Sequence, residues 1–349
     1  MKKNNKDHRL VTRKKIAAIW IGVASLLAVS TSAYSATCSN NGDVLPLWNN
    51  SASRSAITQF VNEVTTVGNP DFVKPSARIA VIDNDGTLWP EKPTYTQFLF
   101  AFSQIKHESA QHPEWKTETP YKWVLDNNTK AIFAKGWEAL LPILATSQAG
   151  LTPEQYSKDV LDWLSTAQSP RFKRPYTDLV YQPMIELIDY LHAHQFKVFI
   201  VTGAGGAFIK PWSEAIYHIP AENVIGTAFG YTYKDGGLIK NDKLVYIDDG
   251  PQKAINIATI IGKRPILAVG NSTGDKAMLS WTTSQKGASL GMLIHHTDAE
   301  REWQYGADSF EGKFTPALMQ AAKQHQWQVV DMKKDWCQIF PTKAERRTL

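Results

Sequence analysis

Beyond its first forty residues the chain contains no apolar stretch long enough to span a bilayer, which excludes membrane-spanning helices from that part. It also lacks internal repeats and long linkers, so 349 residues are expected to form one large domain, or a core with a smaller module. Cysteine is scarce: Cys38 and Cys337 lie one near each end. In an oxidising compartment they could form a disulfide tying the termini together, and two free thiols are the alternative. What is abundant is bulky apolar surface. With 43% hydrophobic residues, 12 Trp, 12 Tyr and 14 Phe, the chain is not disordered, collagen-like or of low complexity.

The formal charge of +5 is unevenly placed. Residues 1–35 hold seven Lys and Arg against Asp7, a local +6 that leaves −1 for the remainder. That remainder offers no electrostatic footprint for nucleic acid. The cationic start is followed by an apolar run from Ile16 to Val29 and by small residues around Ala33 to Ala36. This is the pattern of a cleaved signal peptide, 1–35, with cleavage after Ser35 and a periplasmic or secreted product of bacterial type, not membrane-attached once cleaved. The run is too short for a comfortable anchor, and Ser-Ala-Thr is a poor lead-in for a lipid on Cys38.

Short apolar runs at Ala77 to Ile82, Lys197 to Val201, Leu244 to Ile247, Ile266 to Val269 and Leu290 to Ile294 each end in small or polar residues. Separated by helical patterns, such as Pro183 to His194 and segments starting near Gly205, Gln252 and Asp275, they indicate a doubly wound α/β core with a mainly parallel sheet. Gly236-Gly237 suggests a hairpin within Val224 to Ile247. About a hundred residues between the first two runs carry only helical patterns, at Gln97 to His107, Thr129 to Thr146 and Thr152 to Thr166. The expected organisation is a Rossmann-like catalytic core, 36–94 and 196–349, with a helical cap, 95–195, inserted over one end of the sheet.

Chemistry-bearing residues follow the apolar runs. The first run ends in Asp83-Asn84-Asp85-Gly86-Thr87-Leu88, two carboxylates that can enter one crevice at a strand's carboxyl end. The second delivers Thr202-Gly203, a hydroxyl and an N–H at a glycine-rich turn into a helix, a setting that suits phosphate oxygens. Lys253 stands early in a helix after LVYIDDG, and Gly270-Asn271-Ser272-Thr273-Gly274-Asp275 follows PILAV. Singly, each has a plain reading as a turn, a cap or a solvated charge. Together, at the shared edge of a parallel sheet, they should converge.

In this order the four motifs resemble those of the haloacid dehalogenase superfamily, and within it the phosphatases similar to phosphoserine phosphatase. The resemblance runs from about Arg78 to the carboxyl-terminal region and implies a Mg²⁺-dependent phosphatase acting on small phosphomonoesters through an aspartyl phosphate. It assigns Asp83 as nucleophile, Asp85 as general acid and base, Thr202 and Gly203 as holders of phosphoryl oxygens, and Lys253 as the neutralising cation. Mg²⁺ would be held by Asp83, the main-chain carbonyl of Asp85, and Asn271 or Asp275. Many members carry an acid where this chain has Asn271, so weaker metal affinity is expected.

Other readings remain in view. Gly270 to Gly274 also spells G-x-S-x-G, the nucleophile elbow of a serine esterase, with Ser272 followed by Asp298 and His325. A non-catalytic periplasmic anion-binding protein would use the same helix starts, but would gain nothing from paired aspartates. A dehalogenase would leave Asp85 superfluous. Gly203-Ala204-Gly205-Gly206 does not complete a dinucleotide fingerprint, since Phe208 stands at the last glycine position. The insert's Trp115, Tyr121, Trp123, Trp137 and Trp163 fit either a helical core or a cage for a quaternary ammonium, and Lys173 and Arg174 either solvated charges or contacts to a second anionic group. Oligomeric state is not legible.

Overall fold

A computed structural model describes Cys38 and residues 44–349, so residues 1–35, expected to be a signal peptide, lie outside the described residues. Its centre is β1 (Ile79–Ile82), four apolar residues buried on both faces. Successive side chains point to opposite sides of a strand, and here Ala80 and Ile82 enter one core while Ile79 and Val81 enter another. A strand with both faces dry needs helices on both sides. The first core is closed by α1 (Ala52–Thr65) and the second by helices from the carboxyl-terminal half.

After β1 the chain leaves the sheet for α2 (Thr96–Glu108), α3 (Tyr121–Leu125), α4 (Thr129–Lys135), α5 (Trp137–Thr146) and α6 (Pro153–Thr166). Thr152 and Gln155 form a reciprocal capping box that starts α6. The continuous helix expected over Thr129 to Thr146 is broken at Gly136, dividing it into α4 and α5. Phe98, Ile105, Trp115, Val124, Ile132, Leu140 and Ile143 make a third core among α2 to α5, which Phe229 also joins. Tyr156, Val160 and Leu164 of α6 belong instead to the first core, as do Met184, Ile185, Leu187, Ile188 and Leu191 of α7 (Gln182–Ala193).

The chain then alternates: β2 (Lys197–Gly205), α8 (Gly206–Tyr217), β3 (Val224–Lys234), β4 (Gly237–Tyr246), α9 (Pro251–Asn256), β5 (Leu267–Gly270), α10 (Lys276–Thr283), β6 (Leu290–His295), α11 (Pro316–Gln324) and β7 (Gln328–Asp331). The seven strands are ordered β4-β3-β2-β1-β5-β6-β7, all parallel except the β3–β4 hairpin. The sheet is therefore doubly wound and mainly parallel.

Leu244 to Ile247, expected among the core strands, instead falls at the end of the antiparallel edge strand β4. Leu244 and Val245 are exposed, because an edge strand buries little. Cys38 and Cys337 are joined in a disulfide across 299 positions. No helix among the described residues is long and apolar enough to cross a membrane.

Candidate active site

The carboxyl edge of the sheet carries the site. Asp83 follows β1 directly, and its N–H donates to the Val269 carbonyl of β5 at 2.9 Å. The chain then turns sharply, with the Asn84 carbonyl accepting from the N–H groups of Thr87 and Leu88 at 3.1 and 2.7 Å. Gly86 makes the turn at φ +78°, and a Cβ there would lie 2.0 Å from Asn271 Nδ2. The turn leaves Asp85 buried, with Oδ1 accepting from Trp89 Nε1 at 2.8 Å. Burial pushes the Asp85 carboxyl up to about 6.

Lys253, in the first turns of α9, reaches two carboxylates at once. Its Nζ lies 2.6 Å from Asp83 Oδ1 and 2.6 Å from Asp275 Oδ1, and all three residues are buried. Burial works against the ammonium, but Asp275 and then Asp83 outweigh it and hold the lysine above its ordinary range. Burial, and then the charge of Asp275, hold Asp83 well above the usual carboxylate range. Asp275 Oδ2 accepts from the N–H groups of Asn271 and Ser272, each at 3.0 Å. Both Asp275 oxygens are thus engaged in fixing the lysine and its own loop.

Thr202 is buried and, with Gly203, lines the same cavity as Asp83, Asp85 and Lys253. The Thr202 hydroxyl accepts from Ala204 N–H at 3.0 Å, and the β2–β3 register shifts between Thr202 and Gly205. The Gly203 carbonyl accepts from Thr227 Oγ1 at 2.7 Å. Gln97 Oε1 accepts from Gly205 N–H at 2.7 Å and ties α2 to the end of β2.

Several residues here carry no motif. Glu91 is buried, and its Oε1 accepts from Asn271 Nδ2 at 2.7 Å and from the Tyr305 hydroxyl at 2.6 Å. Gly312, at φ +62°, covers it so closely that a Cβ would fall 1.7 Å from Glu91 Oε1. Lys92 and Thr94 both bond Glu311, holding the two segments together at 3.0 Å each. His296 Nε2 lies 2.8 Å from the Gly86 carbonyl and Nδ1 3.0 Å from Glu302, which also accepts from Tyr181. An acid eight positions after Asp83, between Pro90 and Pro93, was the one signal for Glu91 available in the sequence.

The donor set is one of hard oxygens. Thr87 Oγ1 lies 3.3 Å from Asp83 Oδ2 and 3.3 Å from Asn271 Oδ1, so one hydroxyl proton faces two acceptors. Asp83 and Asp275 are buried on the ammonium of Lys253, and Asp85 and Glu91 are buried in the same cavity lining. Oxygens of Asp83 and Asn271 that share one hydroxyl proton fit a divalent cation beside them.

The esterase triad does not assemble. Ser272 Oγ accepts from Gly274 N–H at 3.1 Å and lies 3.3 Å from Asp275 Oδ2, Asp298 is paired with Arg301, and His325 stacks on Trp327 after α11. Of the five insert aromatics, Trp137 lines the cavity; Trp115 stacks between His112 and Tyr121, and Trp163 packs on Phe100 and Tyr176. Trp123 packs against the third core. Arg174 bonds the Pro341 carbonyl at 2.6 Å, Lys173 is exposed, and neither lines the cavity.

No protein-family model and no curated protein sequence matches the chain. Among solved structures it is similar to a conserved protein of unknown function from Anaerococcus prevotii, with 13% identity and a TM-score of 0.53 over 80% of this chain and 91% of that one. A protein of unknown function from Bordetella pertussis gives 14% identity and a TM-score of 0.47 over 73% and 99%. A phosphoserine phosphohydrolase-like protein from Francisella tularensis gives 15% and 0.35 over 62% and 87%. At these identities the likeness is one of fold, and it rests on the first.

Proposed function

We propose that this protein is a phosphatase of the haloacid dehalogenase type, hydrolysing small phosphomonoesters through a phosphorylated Asp83. One observation carries the reading: Asp83 and Asp275 share Lys253 at the floor of a cavity that also holds Asp85 and Thr202. A carboxylate attacking a phosphate dianion faces like-charge repulsion, and Lys253 is placed to offset it. An Asp83 oxygen forms a bond to phosphorus as the ester P–O bond breaks, and Asp85 gives its proton to the departing alkoxide. The same Asp85 then takes a proton from the water that attacks phosphorus, which returns Asp83 and frees inorganic phosphate. Thr202 and the Gly203 N–H hold the transferring phosphoryl oxygens.

Asp83, the main-chain carbonyl of Asp85 and Asn271 would hold Mg²⁺, since both Asp275 oxygens are engaged elsewhere. When bound, the ion screens the negative charge of nucleophile and phosphate. Paired buried aspartates favour turnover over simple anion binding, because a binder gains nothing from a carboxylate raised to about 6 beside its ligand. We also place the protein in the periplasm or outside the cell, supported by the cationic and apolar start of the chain and by the Cys38–Cys337 disulfide.

The test is hydrolysis of an aryl phosphate with Mg²⁺ and with chelator. Turnover is expected only with Mg²⁺, and Asp83→Asn lowers it on the order of 10⁴-fold or more, as removal of a nucleophile does. Equal rates in Asp83→Asn would overturn the mechanism.

A further inference from the structure

The cavity above Asp83 has a volume of about 380 Å³ and two unlike parts. The charged groups lie on its floor. Its wall is formed by Phe98, Trp137, Leu141, Leu144, Phe229 and Phe310, drawn from α2, α5, β3 and the segment after β6. Of the polar side chains around the cavity, Gln97 is engaged by Gly205, Glu91 by Asn271 and Tyr305, Thr227 by Gly203 and Asp248, and Ser272 by Gly274 and Asp275; Thr273 also lines it. The Tyr95 phenol also faces the cavity, and burial and then Glu91 keep it neutral. Among the described residues the one cation lining the cavity besides Lys253 is Lys313, which is exposed, as is Asp249 of opposite sign.

Such a wall can exclude water from an apolar group, but it has few partners for a carboxylate, a second phosphate or a row of hydroxyls. A polar leaving group would lose its water there without replacement. Trp137 is 44% exposed and Phe310 48% exposed, although Trp137 packs edge-on against Phe98 at 6.0 Å. Apolar surface left open beside a reactive floor is surface that a ligand can cover.

We propose that the leaving group is an apolar alcohol, aromatic or alkyl, without a second anionic group, and that α5 and Phe310 select it. This deepens the phosphatase reading and rests on it. The site accepts an alkyl or aryl phosphate with phosphorus at Asp83 and the organic group against Phe98, Trp137 and Leu144.

The experiment compares kcat/KM of the Mg²⁺-loaded protein for ethyl, butyl and hexyl phosphate, with glycerol phosphate and phosphoserine alongside. Each added methylene is expected to raise kcat/KM about fourfold until the chamber is filled, the equivalent of about 0.8 kcal/mol. Trp137→Ala should flatten that slope. Binding of ethyl- and hexylphosphonate, followed by tryptophan fluorescence, tests the wall without turnover. Hydrolysis of all the esters with no length preference, or preference for phosphoserine or glycerol phosphate, overturns the inference and leaves the phosphatase reading intact. If no ester is hydrolysed, the phosphatase reading falls, and tighter binding of hexylphosphonate still supports the apolar chamber while equal binding of the two phosphonates ends it.

Discussion

On the floor of the cavity, Asp83, Thr202 and Lys253 stand at strand ends or in the first turns of a helix, and each is locked by charged or backbone hydrogen bonds. On the wall, Phe98, Trp137 and Phe310 come from the inserted helices and an irregular segment, and they hold position through ring contacts. The difference separates two tasks. Groups that must meet phosphorus within a fraction of an ångström are set by the hydrogen-bonded frame of the sheet. Groups that meet the variable part of a substrate sit on elements free to differ in sequence. The floor thus decides what reaction is run and the wall decides on what.

Changes to the floor should cost rate, and after Asp83 the largest loss expected there is at Asp85. Asp85→Asn removes the proton donor and should lower kcat for alkyl phosphates by about 10²–10⁴-fold, with a smaller loss for aryl phosphates, whose leaving groups need less protonation. Because burial raises the Asp85 carboxyl to about 6, its neutral form persists to that pH. Turnover of an alkyl phosphate by the wild-type protein should therefore fall as pH rises through about 6, and a pH–rate profile of Asp85→Asn should lack that limb. Loss of equal size on both ester types would blur the division between floor and wall.

Glu91→Gln should act less on rate than on metal. Its carboxylate accepts from Asn271 Nδ2 and so turns Asn271 Oδ1 toward Thr87 and Asp83. Removing a partner of this kind typically costs 10–100-fold in metal affinity, which calorimetric Mg²⁺ titration would measure. Unchanged affinity would remove Glu91 from the floor. The smallest effect is expected for Ser272→Ala, which deletes the cap on Gly274 N–H at about 1 kcal/mol of stability. A complete loss of activity there would instead revive the serine nucleophile.

The floor was legible because each of its motifs follows an apolar run, and parallel strands bring such endings to one edge. Asn271 and Asp275 could not be told apart as ligands from sequence, since spacing does not show that Lys253 and two N–H groups occupy both Asp275 oxygens. Glu91, Tyr305 and Gly312 escaped for a related reason. They meet across more than two hundred positions from segments with neither helical nor strand periodicity. The insert was legible as helical, but Trp115 and Trp137 look alike in sequence, and only the break at Gly136 and the packing of α5 on α2 turn Trp137 toward the cavity. The strand β7 was missed because Gln328–Asp331 carries two valines between polar ends, too little to stand out. Leu244 to Ile247 misled for the opposite reason, its apolar residues lying on an edge that one side of the sheet leaves open.

The link between Cys38 and Cys337 turns nearly the whole described chain into a ring. A protease that cuts once inside that ring, for example at the exposed tip around Asp235 and Gly236, opens it without releasing a fragment. Under denaturing conditions the nicked protein still runs as one species, and it separates into two pieces only when a reductant is added as well.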